Sequence, residues 1–175
     1  MVRLYYRILE SGELPRVAAH QLVEKVLGIG PSVLQHDRAG RPYTPEGPCI
    51  SLSHTKEAVA AAIAETAVGV DVEGLRSVHP GLPRRALGAA EYRWYMSRGG
   101  RPEDFLTLWT LKESYYKYLG TGLPGIPNGT DFFQENDQWR LRNAEQRFFV
   151  LQKNGLLIAL CGDEQQMKQI EVIES

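Results

Sequence analysis

Apolar and polar positions along this chain alternate or recur with enough regularity to divide it into short strands and two well-marked helices. Residues 2–9 read as a first strand. From Leu14 to Leu27, apolar residues fall at 14, 17, 18, 22, 23, 26 and 27, the spacing of one helical face, and Gly28 supplies a stop. The density of Gly and Pro between Asp37 and Pro48 marks a loop, and Cys49–Ser53 alternates like a strand. Ala58–Ala64 fits two states: its alanines favour helix, while its shortness and position favour a hairpin partner. Val68, Val70 and Val72 face one way along the clearest strand, with Gly69, Asp71 and Glu73 facing the other. A loop rich in Pro and Arg follows, then a short helix around Pro83–Met96. The next helix opens at Pro102, carries Glu103 and Asp104 in its first turn and ends at Gly120. Its apolar stripe is Phe105, Leu108, Leu111, Tyr115 and Leu119. Residues 120–130 read as a loop, and Trp139–Arg142, Phe148–Leu151 and Leu156–Cys161 as short antiparallel strands.

Composition narrows the function classes. Lys and Arg number 20 against 21 Asp and Glu in 175 residues, so the net charge of −1 gives no general attraction to nucleic acid or anionic lipid. No run approaches the ~20 apolar residues that span a bilayer, and the first residues lack the apolar core of a secretory signal. The expectation is a cytoplasmic protein with no membrane and no nucleic-acid partner. Cys49 and Cys161 lie among apolar neighbours without CxxC spacing, which predicts buried, reduced thiols. Charge is unevenly placed between Arg76 and Arg101, where six arginines face one acid, Glu91. Such a segment is either a solvated face or a docking surface for an acidic partner or phosphate.

Chemistry gathers at three places. Asp71 and Glu73 project from one face of a strand with Cα atoms roughly 6.5–7 Å apart. Unpaired, the two charges repel, and a cation between them is a natural resolution; taken alone, the pair also fits two solvent-facing residues of an edge strand. Oxygen ligands with no His or Cys beside them suit magnesium. Glu113 and Lys117, four apart on a helix, share a face away from the apolar stripe and can line a cleft, or form an ordinary surface ion pair. Lys112 falls close to the stripe, so it either snorkels past the core or is held for a purpose. Ser51-Leu52-Ser53-His54-Thr55 ends a strand with hydroxyls and an imidazole that could hold a phosphate or nucleotide. A Ser–His nucleophile pair is disfavoured there, because adjacent strand residues face opposite ways and no orienting acid is evident. His20, His36 and His79 show no partner pattern.

In order, Gly40-Arg41-Pro42, Ser51 to Thr55, Gly69 to Glu73, Trp109 to Lys117 and Gly120 to Leu123 resemble the motifs of the Sfp-type 4′-phosphopantetheinyl transferases, over roughly residues 15–125. The resemblance implies an α+β fold, a pseudo-twofold pair of α/β halves of about 1–68 and 69–175, each a small, mainly antiparallel sheet packed with helices. It implies transfer of 4′-phosphopantetheine from coenzyme A to a serine of an apo acyl or peptidyl carrier protein, releasing 3′,5′-ADP. Asp71, Glu73 and Glu113 would hold Mg2+ against the pyrophosphate, and Glu113 would take the serine proton. Lys117 would act on the phosphates. Arg41, Ser53, His54, Thr55 and Lys112 would join it in binding coenzyme A, and Gly122-Leu123 would sit near the carrier. Ser51 stands where such enzymes commonly have Asn, and Thr55 where Ser is common. The basic N-terminal segment that grips the 3′-phosphate in larger members is short here, so either Arg16 or the arginines after Glu73 take that task, or affinity for coenzyme A is weak. Two halves in one chain point to a monomer. Competing readings are a non-catalytic carrier-binding homologue and a metal-dependent phosphodiesterase; acids on a strand serve the latter too, but helical spacing of Glu113 and Lys117 is unlike it.

Overall fold

The computed structural model describes residues 1–121 and 129–175. In chain order the elements are β1 (Val2–Ile8), α1 (Pro15–Leu27), β2 (Gln35–His36), β3 (Pro42–Tyr43), β4 (Cys49–His54), β5 (Ala58–Ala64) and β6 (Val68–Gly74). Then come α2 (Leu82–Ala86), α3 (Ala89–Ser97), α4 (Pro102–Leu119), β7 (Phe132–Glu135), β8 (Gln138–Leu141), β9 (Arg147–Lys153), β10 (Leu156–Gly162), α5 (Glu164–Met167) and β11 (Ile170–Glu174). The architecture is α+β.

Two sheets carry the fold. The first has the order β11-β1-β5-β4 and the second β6-β10-β9; β2-β3 and β7-β8 are two-stranded hairpins. Among the described residues all pairings are antiparallel except β1 with β11, where Val2 lies opposite Ile170 and Tyr6 opposite Glu174.

Side-chain alternation sorts these elements into layers. On β5, Ala58, Ala60, Ala62 and Ala64 pack against Val68, Val70, Val72, Leu156, Ile158 and Leu160 of the second sheet. Val59, Ala61 and Ile63 on the other face pack against Ala18, Ala19, Leu22 and Val23 of α1. The far face of β10, with Leu157 and Ala159, meets Phe105, Leu106, Leu108 and Leu111 of α4. The order is therefore helix, sheet, sheet, helix. This resolves the ambiguity at Ala58–Ala64: with β1 and β4 offering ladders on both sides and apolar layers on both faces, packing overrides the helical preference of alanine.

Several expectations need correction. The helix anticipated across Pro83–Met96 is two helices, broken at Leu87 and Gly88, whose extended backbone (Leu87 ψ 137°, Gly88 ψ 165°) ends the first and starts the second. Leu119 closes the α4 stripe on paper but is 43% exposed, because Gly120 turns the chain left-handed (φ 67°) and the helix ends beyond the core. Cys161 is buried as expected, whereas Cys49 is exposed at the edge where β4 begins; both are free thiols.

One glycine is required by its neighbours. A Cβ on Gly69 would overlap the Ser114 carbonyl oxygen and lie 2.6 Å from the Tyr118 nitrogen, both backbone atoms of α4. Strand β6 and helix α4 thus touch backbone to backbone, which fixes the distance between the acids of β6 and those of α4. Because backbone cannot yield as a side-chain tip can, Gly69→Ala is expected to destabilise the protein by about 3 kcal/mol, measured as a lowered urea midpoint with unchanged slope.

Candidate active site

The seam between the sheets lies where β4 runs beside β6. No backbone ladder joins them; the Ser51 hydroxyl accepts the Val70 N–H at 3.0 Å and the Ser53 hydroxyl accepts the Val72 N–H at 3.2 Å. Across this seam, β6 turns its valines into the core and its acids toward α4.

A cavity of about 420 Å3 opens there, lined by Ser53, His54 and Thr55 from the end of β4, Asp71 and Glu73 from β6, and Glu113 and Lys117 from α4. Sequence reading drew these side chains from three separated segments, and the fold brings them to one place. Arg41 lines a neighbouring cavity of about 570 Å3, together with Tyr43, Ile50, Tyr116 and Tyr118. Leu52 and Lys117 line both. Arg41 is set by its own turn: Asp37 accepts from the Arg41 and Ala39 backbone N–H groups and from Arg41 Nε at 2.8 Å.

Asp71 is nearly buried, 4% exposed. Its Oδ1 accepts hydrogen bonds from Ser53 Oγ at 2.7 Å and Lys117 Nζ at 2.8 Å. Its Oδ2 is buried without a partner among the described residues. Glu73 is half-buried and pairs with Arg76 at 3.1 Å. Burial and the charge of Asp71 raise its pKa, opposed by Arg76 and Lys117. Burial pushes the Glu113 carboxyl up to about 7, helped by Asp71 and Glu73 and opposed by Lys117. Three acids thus feel one another's charge, with one lysine between them as partial compensation.

Among the described residues, no three His, Cys, Asp or Glu side chains are drawn together into a ready metal cage. Glu73 turns toward Arg76 instead, as mutual repulsion would have it. The donor set nevertheless fits a hard divalent cation: all oxygen, one carboxylate oxygen buried and unpartnered, and two carboxyls whose charged forms are disfavoured by burial and by neighbouring acids.

Two residues expected to bind coenzyme A are engaged by the protein itself. Lys112 is wholly buried and lines neither cavity. Its ammonium pairs with Glu91 at 2.6 Å and donates to the Ala86 carbonyl at 3.0 Å, tying α4 to the α2–α3 break. Ser53 does line the cavity, but it is only 6% exposed and its hydroxyl is engaged by Asp71 and Val72. Gly122 and Leu123 lie outside the described residues. Glu91 was not anticipated as a partner for Lys112. Its signal was present as an acid three residues after Gly88 at a helix start, where its carboxylate accepts the Gly88 N–H at 2.8 Å. The structural use of Ser51 left no comparable mark.

Residues 67–165 match the model of the 4′-phosphopantetheinyl transferase superfamily. The 4′-phosphopantetheinyl transferase gsp of Aneurinibacillus migulanus is 31% identical over 86 residues, 48% of this chain and 36% of the relative. The 4′-phosphopantetheinyl transferase psf-1 of Bacillus pumilus is 27% identical over 115 residues, 63% of this chain and 49% of the relative. The chain thus spans between about a third and a half of the length of these curated relatives. The crystal structure of Thermotoga maritima holo-[acyl-carrier-protein] synthase superposes with a TM-score of 0.48 at 27% identity, covering 62% of this chain and 77% of that one. The matched segment runs from the start of β6 through α4 to β10, and so contains Asp71, Glu73, Glu113 and Lys117. The chain belongs to the 4′-phosphopantetheinyl transferase superfamily.

Proposed function

We propose that this protein transfers 4′-phosphopantetheine from coenzyme A to a serine hydroxyl of an apo acyl or peptidyl carrier protein, with Mg2+ as its metal. The observation that carries the reading is the buried, unpartnered Oδ2 of Asp71 in a cavity shared with Glu73, Glu113 and Lys117. Those three carboxylates would hold the ion. When bound, Mg2+ supplies charge neutralisation at the pyrophosphate of coenzyme A.

The chain's own residues supply the rest. Lys117, 27% exposed and donating to Asp71, presents its remaining N–H groups to the cavity, where phosphate oxygens gather charge as the bond to 3′,5′-ADP lengthens. The serine oxygen of the carrier forms a bond to the phosphorus that bears pantetheine, and the bond from that phosphorus to the departing 3′,5′-ADP breaks. The serine proton goes to Glu113, whose carboxyl lines the same cavity. His54 and Thr55 at the cavity rim, with Arg41 in the adjoining cavity, are assigned to the nucleotide part of coenzyme A. Arg84, Arg85 and Arg93 are exposed and form no ion pair among the described residues, unlike Arg76, Arg98 and Arg101. They are assigned to an acidic carrier surface. Segments of about 1–68 and 69–175 are read as halves of one monomeric unit meeting at the β4–β6 seam, with β11 of the second returning to pair with β1 of the first, in a cytoplasmic protein; among the described residues no helix is long and apolar enough to cross a membrane.

Incubation with coenzyme A, Mg2+ and a panel of apo carrier proteins, followed by intact-mass measurement, tests the reaction. A mass gain of one phosphopantetheine on at least one carrier is expected, and no gain on any would overturn the reading. Metal affinity should also depend on pH. A ligand carboxyl with pKa about 7 must lose its proton to bind, so Mg2+ affinity is expected to weaken below pH 7 by up to about tenfold per unit and to level off above it. Titration calorimetry between pH 6 and 8 measures this.

A further inference from the structure

The hydroxyl of Ser53 performs two tasks with one proton. A serine hydroxyl donates once and accepts up to twice. Because it accepts the Val72 N–H at 3.2 Å, its proton is free to go to Asp71 Oδ1, 2.7 Å away. Lys117 approaches that same oxygen at 2.8 Å. Oδ1 is therefore engaged by two donors, and Oδ2 alone is left unpartnered. A carboxylate on a strand can turn about its terminal torsion; held at Oδ1 from one element by Ser53 and from another by Lys117, it cannot exchange its two oxygens freely. The donor from β4 is in turn fixed by the seam, since Ser53 is 6% exposed and bonded to β6 backbone.

We propose that Ser53 is a positioning residue for the metal site: its hydroxyl, bound to the β6 backbone, pins Oδ1 of Asp71 and so presents Oδ2 to the cation. The inference rests on Asp71 being a metal ligand. It assigns Ser53 to orientation of that ligand and not to contact with coenzyme A. Outer partners of this kind change metal affinity by about 10- to 100-fold when removed.

Ser51 provides an internal control. Its hydroxyl accepts the Val70 N–H at 3.0 Å and so stitches the same seam, but it makes no hydrogen bond to Asp71. The experiment compares Ser53→Ala, Ser51→Ala, Asp71→Asn and the unsubstituted protein. Mn2+ affinity is measured by calorimetry with saturating coenzyme A, coenzyme A affinity is measured without metal, and Tm is measured without either. Ser53→Ala is expected to lose about tenfold or more in Mn2+ affinity while binding coenzyme A normally without metal. Ser51→Ala is expected to lower Tm comparably and leave Mn2+ affinity unchanged. Unchanged Mn2+ affinity in Ser53→Ala, or equal losses in both serine variants, would overturn the proposal. Weakened coenzyme A binding without metal in Ser53→Ala would also overturn it, by making Ser53 a substrate contact. If the unsubstituted protein binds no Mn2+, or Asp71→Asn binds it equally well, the metal reading itself fails and takes the proposal with it. That failure is recognisable because it appears without any change at Ser53.

Discussion

Glu113→Gln is expected to lower turnover by 10²-fold or more while making the metal-free protein more stable above pH 7. The first effect follows from losing both a charged metal ligand and the group assigned to receive the serine proton, since the amide keeps the shape but neither the charge nor the basicity. The second follows from the raised pKa. Protonated Glu113 sits comfortably in its half-buried place beside Asp71 and Glu73; ionised, it does not. In the unfolded chain it titrates near its ordinary 4.5, and in the folded protein at about 7. Its favourable contribution is thus complete below pH 4.5 and is lost as pH rises through 7. The neutral amide avoids that loss. At pH 8 the variant should gain on the order of 1 kcal/mol, the full shift being discounted for solvent screening, or about 2–4 °C in Tm for a chain of this size. Single-turnover assays and thermal melts across pH 4 to 8 check both halves. Wild-type turnover would remove Glu113 from the chemistry, and a stability difference that does not grow between pH 4.5 and 7 would remove the charge argument.

Lys112→Met is expected to cost 3–5 kcal/mol of stability, the range for removing one partner of a buried ion pair, which is on the order of 10 °C in Tm. Glu91 and Lys112 are both completely shielded from solvent, and their atoms are 2.6 Å apart. Glu91 also accepts the N–H of Gly88 at 2.8 Å and of Phe132 at 2.9 Å, so it joins α3, α4 and β7 at a single carboxylate. Without the ammonium, that carboxylate is a buried charge with two backbone donors and no counterion. The double variant Glu91→Gln with Lys112→Met removes both charges while retaining an amide oxygen for a backbone donor. It should therefore be less destabilised than Lys112→Met alone. Equal or greater destabilisation in the double variant, read from urea unfolding, would show that packing of the lysine stem and not charge pairing sets the cost.

How far the sequence disclosed this molecule depends on the range of the interaction involved. The strand of alternating valines and acids was legible because period two is a local property, and so was α4, with Pro102 at its start and Gly120 beyond its end. The fate of Ala58–Ala64 was not, because alanine has no strand preference and only neighbours on four sides make it one. The segment from Pro83 to Met96 carries mostly helix-forming residues, so its break at Leu87 and Gly88 shows in the backbone and in Glu91 capping the first turn of α3. The gathering of Asp71, Glu73, Glu113 and Lys117 was anticipated from motif order. Lys112 shows the limit of that method: its position within the motif suggested a ligand contact, whereas its side chain is held by Glu91, 21 residues earlier in sequence. Ser53 shows another limit, since a hydroxyl beside a cavity reads identically whether it meets substrate or braces a carboxylate. Strand β11 was missed because its Ile170, Val172 and Ile173 do not alternate cleanly.

That last strand has a consequence for how the chain is made. Residues 170–174 pair in parallel with residues 2–6, and Tyr6 bonds Glu174 through its hydroxyl at 2.8 Å. During translation β1 emerges well before β11, its partner on this side, which follows only after some 160 further residues have been added. Until then the growing polypeptide carries a bare β edge of the type that recruits neighbouring nascent chains. Closing so distant a pairing is slow, because a large loop must be restrained before its reward arrives. The interval between synthesis of Val2 and of Glu174 is therefore the period in which this fold is most exposed to mispairing, and a holding chaperone would help it most then.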